Sequence, residues 1–295
     1  MNPLVTTTRL TKRYGKKIAL NELSLEIGAR QIVGLIGQNG SGKTTLLDLI
    51  SGIALPSSGT CETLGRAGGR LDEAALAQIG VVFQENRFLG WMRVEQHLAY
   101  FGSFYSHWDR QRETSLLQEL DLDPQAKVGH LSGGDIQKLG IITAVCHHPK
   151  LLLLDEPLSS LDPLARESVL QFILRLLEED DATIVVSSHT LSDIERLVTW
   201  VICLNEGRLC ANASLATLQE RFAEWRVTAV NGTPLPESFQ ETYVRGQARQ
   251  AGETRLVVEN GEGDRAAFQQ RHHADVKIGQ LKLEQIYPLL LEDRS

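Results

Sequence analysis

Residues 37–44 read Gly37-Gln38-Asn39-Gly40-Ser41-Gly42-Lys43-Thr44, a complete G-x-x-x-x-G-K-[ST] spacing. What flanks this stretch makes it decisive. The apolar run at residues 31–36 (QIVGLI) suits a buried parallel strand, and Leu46-Leu47-Asp48-Leu49-Ile50 suits a helix. Strand, glycine turn and helix together form the setting in which such a loop closes round phosphate. Gly37, Gly40 and Gly42 admit backbone conformations that a Cβ obstructs, so successive N–H groups can turn inward toward anionic oxygens. The helix opening near Lys43 adds the positive end of its dipole. Lys43 supplies a cation for the β- and γ-phosphates and Thr44 a hydroxyl for Mg²⁺, while Gln38, Asn39, Ser41 and Thr45 complete the expected cradle for ATP.

A second constellation lies downstream. Leu151-Leu152-Leu153-Leu154-Asp155-Glu156 is an apolar run ending abruptly in two acids, the pattern of a buried strand that delivers carboxylates to a sheet edge. Adjacent strand residues face opposite ways, so the acids can divide the labour. Asp155 is expected to hold Mg²⁺ and Glu156 to polarise the attacking water. Further upstream, Leu131-Ser132-Gly133-Gly134 offers a hydroxyl and glycine N–H groups at the start of a helical run, a second anion cradle that calls for a second phosphate site.

Composition narrows the class. The chain has 295 residues and a net charge of −7, which gives no electrostatic case for nucleic acid. Residues 1–9 lack the apolar core of a secretion signal, and no stretch approaches the ~20 apolar residues of a membrane span, so the expectation is a soluble chain. Cys61, Cys146, Cys203 and Cys210 show no C-x-x-C spacing and read as structural thiols rather than disulfides or zinc ligands. The pairs His147-His148 and His272-His273 have no clear third ligand and read as ordinary.

Strand-like runs at residues 4–10, 23–27, 59–64 and 79–83 accompany the loop, with a helix at 71–77. Residues 87–145 change to helical periodicity, an inserted helical subdomain. Alternation returns with a strand at 151–155, a helix at 164–179, a strand at 183–187, a helix at 191–198 and a strand at 201–204. This alternation reads as α/β, a mostly parallel core sheet with an inserted α-helical subdomain and a small C-terminal α+β appendage; with the phosphate loop, the expected fold class is a P-loop NTPase core sheet. The ATPase domain is expected at 1–213 and the accessory domain at 214–295. Turn-rich stretches at 231–234 and 260–263 and strands near 225–230 and 254–259 mark the latter.

From about residue 8 to 207 the chain resembles the nucleotide-binding subunit of ATP-binding-cassette (ABC) proteins, whose signature is Leu-Ser-Gly-Gly-Gln. The resemblance implies that an antiparallel β subdomain lies beside the core sheet, that Tyr14 stacks on adenine, that Gln84 touches Mg²⁺ and water and hinges the helical subdomain, and that Ser160-Leu161-Asp162 crosses to a partner subunit. It also implies that His189 contacts the γ-phosphate and helps position Glu156. In this family the signature of one subunit closes over the phosphate loop of the other, which implies an ATP-sandwiched homodimer or heterodimer with a second ATPase subunit.

Asp135 departs from the family pattern, standing where the signature glutamine is usual. It can still accept a ribose hydrogen bond but places negative charge near a polyanion, so a modestly weakened or slower site is expected. The single cassette and the lack of a long heptad segment favour the ATPase subunit of a membrane transporter, with a separate transmembrane permease subunit, on the cytoplasmic face of the membrane. The aromatic stretch at residues 100–108 reads as core packing or as a groove for a partner's helix. Leu281-Lys282-Leu283-Glu284-Gln285-Ile286-Tyr287 resembles the ending of bacterial ABC-2-type exporter ATPases, and residues 105–109 are similar to one branch of them. Export is therefore expected; an importer ATPase and a soluble ABC assembly or regulatory factor are the alternatives.

Overall fold

Three wholly buried strands, two of them entirely apolar, organise the first part of the chain. The computed structural model describes residues 3–67, 71–230, 234–250 and 253–292. In chain order the first elements are β1 (Val5–Tyr14), β2 (Lys17–Ile27), β3 (Ile32–Ile36), α1 (Lys43–Ile50), β4 (Ser58–Thr63), β5 (Arg66–Ala67), α2 (Glu73–Leu76) and β6 (Ile79–Val82). A helical region follows, with α3 (Val94–Gly102), α4 (Arg110–Glu119) and α5 (Gly133–Val145). The chain then runs through β7 (Leu151–Leu154), α6 (Pro163–Asp180), β8 (Thr183–Ser188), α7 (Leu191–Ile194), β9 (Trp200–Asn205) and β10 (Arg208–Ser214).

Every residue of β3, β7 and β8 is buried. Strands buried along their whole length are stable only when both faces of a sheet are covered, which is why they form the middle of a parallel sheet. Its order is β10-β9-β3-β8-β7-β6, and neighbours from β9 to β6 run parallel. At one edge β10 returns beside β9 through the two-residue turn Glu206-Gly207, where both φ values are positive (48° and 73°), the geometry a tight hairpin needs.

A separate antiparallel sheet has the order β2-β1-β4-β5. Its β1 and β2 extend beyond the expected apolar runs into polar residues, and the register shifts three times along the pair. The irregularity carries β1 out to Tyr14, paired with Lys17. Within residues 87–145, α3 and α4 pack on α5. Residues 87–93 and most of 120–132 are not α-helical, so this insertion is three helices joined by long connections. Helix α6 shows its sequence cause plainly. Asp162 caps it by accepting from the N–H groups of Leu164 and Ala165 (3.0 and 3.1 Å), and Pro163 occupies the first turn.

Contacts divide the chain into two units, Met1–Asn212 and Ala213–Ser295. The second contains α8 (Leu215–Arg221), β11 (Phe222–Ala229), β12 (Val244–Gln250), β13 (Glu253–Glu259), α9 (Arg265–His272), β14 (Ala274–Gln280) and α10 (Leu283–Glu292). Its antiparallel sheet, β12-β13-β11-β14, buries Trp225, Val227, Leu256, Val258 and Val276 with Phe239 and Phe268. The turn expected at 231–234 falls largely outside the described residues.

Candidate functional site

The register of the parallel sheet brings its C-terminal strand ends to one edge. Ile36 of β3 lies beside Ser188 of β8, and Leu154 of β7 lies between Val186 of β8 and Val82 of β6. The residues that follow these strands are the phosphate loop, His189, the Asp155-Glu156 pair and Gln84. The carboxyl edge of a parallel sheet is where such folds bind ligands.

The loop closes tightly. Gly42 has φ 108°, and a Cβ there would sit 2.6 Å from Leu20 Cδ2 and 2.7 Å from the Ala19 carbonyl oxygen. Only glycine fits without moving β2. Lys43 Nζ folds back over the loop, donating to the carbonyls of Gly37 (2.7 Å) and Gln38 (3.3 Å) and lying 4.0 Å from Glu156 Oε1. Burial lowers the Lys43 pKa, while the carboxylates of Glu156 and Asp155 oppose that shift. A polyanion in the cleft would add to the groups that keep the ammonium charged.

The two acids are fixed by different partners. Thr44 Oγ1 donates to Asp155 Oδ2 (2.6 Å), and Ser187 Oγ donates to Asp155 Oδ1 (2.6 Å). The Ser187 oxygen in turn accepts from the Glu156 N–H (2.8 Å), so one buried hydroxyl ties both acids to β8. Sequence reasoning missed Ser187; the available signal was a hydroxyl at the end of an otherwise apolar strand. Glu156 has φ 49°, a left-handed conformation that costs a side-chain-bearing residue energy. Its Oε2 lies 2.7 Å from His189 Nδ1. An ionised carboxylate only accepts, so Nδ1 carries the proton and Nε2 remains available to a ligand.

These groups open onto a cleft of about 400 Å³, lined by Tyr14, Lys17 and Ala19 from the antiparallel sheet, by residues of the loop and α1, and by Gln84, Asp155 and Glu156. Tyr14 is half-exposed, with Lys12 Nζ 4.9 Å from its ring centroid, and its free area suits a flat partner. Lys17 was missed, although the basic pair Lys16-Lys17 directly after Tyr14-Gly15 was its signal. A larger cleft of about 560 Å³, lined by Thr6, Ser24, Gln31, Trp200 and Asn212 among others, shares no residue with this one and has Glu26 as its one ionisable lining residue. The chemistry therefore assigns the smaller cleft.

Ser132, Gly133, Gly134 and Asp135 do not line that cleft. They begin α5 beside Ser160, whose carbonyl oxygen would lie 3.0 Å from a Cβ on Gly134. Ser132 Oγ caps the helix by accepting from the Asp135 N–H (3.1 Å) and donates its own hydrogen to Asp135 Oδ2 (2.7 Å). Lys138 Nζ, one turn on, holds Asp135 Oδ1 at 3.1 Å. Burial opposes ionisation of Asp135, but Ser132 and Lys138 outweigh it and keep the carboxyl below its usual range. Asp135 is therefore a charge already paired within its own helix. The i,i+3 spacing of Asp135 and Lys138 was the missed signal. The segment of Gln84 is tied to the same helix: Asn86 accepts from the Phe83 N–H (3.3 Å) and donates to Gln137 Oε1 (3.1 Å).

Comparison with known proteins follows the same lines. A family model described as ABC transporter matches residues 20–159. The bacitracin transport ATP-binding protein BcrA of Bacillus licheniformis is 32% identical over 223 residues, 75% of this chain and 73% of that protein. The aliphatic sulfonates import ATP-binding protein SsuB of Burkholderia pseudomallei (strain K96243) is also 32% identical, over 271 residues, 86% of this chain and 80% of that protein. Among solved structures, the dimeric structure of a bacterial ABC transporter cassette superposes with a TM-score of 0.65 at 27% identity, covering 72% of this chain and 98% of that one. A post-hydrolysis cassette dimer bound to ADP and Pi gives 0.64, also at 27% identity, and covers 72% and 98%.

Proposed function

The chain belongs to the ATP-binding subunits of ABC transporters, ABC-type ATPases, and on that premise we propose that it acts as one half of an ATP-sandwiched pair driving a separate membrane-spanning subunit from the cytoplasmic face. The observation that carries this reading is the separation of the two anion cradles. The loop, both acids and Gln84 share one cleft, whereas Ser132–Asp135 stand apart from it against Ser160. A second copy, or a sister subunit, supplies the missing half.

Within that site Glu156 polarises the attacking water, and His189 holds its carboxylate in place through the 2.7 Å bond. Lys43 exchanges its two loop carbonyls for phosphate oxygens, and Tyr14 stacks on the base. Thr44, Asp155 and Gln84 are an all-oxygen donor set that fits Mg²⁺. Held by these residues, the ion would supply positive charge to offset the charge that develops on the phosphate during hydrolysis. Glu156→Gln in the purified chain should hold a dimer in ATP and Mg²⁺ but not in ADP, read by light scattering after gel filtration. Normal hydrolysis in that variant would overturn the assignment of the base.

A membrane partner is supported by exposed apolar side chains in the segment around and after Gln84. Among the described residues no helix is long and apolar enough to cross a membrane, yet Phe83, Leu89, Trp91, Tyr100 and Phe104 are exposed, Trp91 by 72% and Phe104 by 62%. The aromatic stretch divides. Tyr105 stacks on His147 and Trp108 packs over Gly102, while Tyr100 and Phe104 face outward. The outward half suits a helix of the partner. We read the direction as export, on the ending at residues 281–287 and the likeness to BcrA. Import is the second reading, favoured by SsuB at the same identity over more of the chain. Purification from detergent-solubilised membranes should bring a multi-span protein in stoichiometric amount, and recovery from the soluble fraction alone would contradict the transporter reading. With that partner in inside-out vesicles, ATP-driven uptake of its cargo indicates export and ATP-driven release indicates import.

A further inference from the structure

A serine hydroxyl has one hydrogen to give, and in Ser132 it goes to Asp135 Oδ2 at 2.7 Å, while one oxygen lone pair receives the Asp135 N–H at 3.1 Å. Held in this way, the Ser132 hydroxyl can present only a lone pair to anything outside the helix. A lone pair repels a phosphate oxygen. For Ser132 to donate to phosphate, its hydrogen must leave a charge-assisted bond to a carboxylate, among the stronger hydrogen bonds a protein makes. What lets the carboxylate release it is Lys138, whose Nζ holds the other oxygen, Oδ1, at 3.1 Å with only 12% of its side chain exposed. The Lys138 charge also reaches Asp162, the cap of α6 beyond Ser160-Leu161, so it acts on both segments expected to face a partner subunit.

We propose that Asp135 and Lys138 form a latch on the signature half-site. Asp135 withholds the Ser132 hydrogen from nucleotide, and Lys138 sets how readily it is released by retaining the carboxylate once Ser132 turns away. The inference rests on the reading that Ser132 meets ATP held by a second subunit. Its consequence is an ATP-driven closure that is weaker than a neutral side chain at 135 would allow. The cause is competition for a donor. Bare repulsion by an unpaired acid, the expectation from sequence alone, is largely cancelled by Lys138. Asp135 and Lys138 are positioning residues, since they act through Ser132.

The two causes make different predictions for Lys138. ATP-induced dimerisation of the full chain carrying Glu156→Gln can be measured by analytical ultracentrifugation across Asp135→Asn, Lys138→Met and the double variant. Asp135→Asn should tighten the dimer by about tenfold, the scale of one charge-assisted hydrogen bond. Lys138→Met should loosen it by a similar factor, because Asp135 then has Ser132 as its remaining side-chain partner. In the Asp135→Asn background the same Lys138→Met change should shift the dimer less than twofold, a coupling that a merely structural lysine does not produce. If the parent dimerises and all three variants match it, or if the two changes simply add, the latch is wrong and the sandwich reading stands. A dimer seen only with Asp135→Asn present supports the latch strongly. If no variant dimerises in ATP, the sandwich reading falls and the latch falls with it.

Discussion

At the sheet edge, Asp155 has both carboxylate oxygens held by Thr44 and Ser187, and Glu156 is fixed by His189; at the start of α5, the side chains of Ser132, Asp135 and Lys138 satisfy one another. The first arrangement fixes its two acids at a cleft, with Lys43 alone turned onto the loop carbonyls it would exchange for phosphate, and the second turns all its polar side chains on one another. Pre-organised donors and acceptors lower the cost of reaching a transition state, because little has to move when charge develops. A self-satisfied cluster must exchange partners before it can bind. The contrast fits a division in which the sheet edge carries the chemistry and the helix start carries the switch.

Breaking the prepared side should cost most. Lys43→Ala removes the cation over the loop, and phosphate release in steady state should fall by about 10²- to 10³-fold, the usual loss of one transition-state charge partner. Acid should weaken the helix side next. His97, bonded to Thr143 of α5, and His147, just beyond α5, are both pushed down to about 4 by burial, partly offset for His147 by the Ile79 carbonyl. Above the ordinary histidine value of 6.5 both states are neutral. As pH falls from 6.5 to about 4 the unfolded chain gains protons that the folded chain resists, so stability drops by up to roughly 3 kcal/mol per histidine and levels off below about 4. Urea denaturation at pH 7, 5.5 and 4.5 should show this, and His97→Gln should flatten the slope.

A smaller effect is expected at the loop itself. Gly42→Ala forces a Cβ against the Ala19 carbonyl at a φ of 108°, and should destabilise the fold by about 1–3 kcal/mol while weakening binding of a fluorescent ATP analogue. Ser132→Ala removes a helix cap as well as the candidate phosphate donor. Its denaturation cost should be only ~1 kcal/mol, with a larger fractional loss in ATP-driven dimerisation. The smallest effect belongs to the second unit. A chain truncated after residue 213 should bind the ATP analogue with affinity within about threefold of the full protein, as expected for a unit with its own core. Insolubility of that fragment would move the boundary.

Much of the sheet edge was legible in the sequence, because four buried leucines ending in two acids and a glycine-rich loop between strand and helix are each constrained by local chemistry. Ser187 was not, since its importance arises from the pairing of β7 with β8, a contact between residues about thirty positions apart. The self-satisfied state of Asp135 was hidden for a related reason. Its charge could be read, but the direction of the Ser132 hydrogen and the Lys138 ammonium depends on the turn of α5. The second unit was legible only in part. β11 and β13 alternate clearly, whereas β12 (VRGQARQ) has little apolar content and owes its place to backbone pairing with β13. β14 and α10 were missed as elements, although the apolar positions Leu283, Ile286 and Leu290 on α10 are all buried.

The claim at the centre is that each catalytic site is built from two chains, and mixing two inactive variants tests it most directly. Lys43→Ala disables the loop half and Ser132→Arg blocks the signature half, so each alone should release little phosphate. In an equimolar mixture about half the dimers are mixed, and each mixed dimer contains one site with both halves intact. The account predicts recovery of up to about a quarter of the wild-type rate if the sites act independently. A mixture no more active than its components would contradict a site shared between copies of this chain.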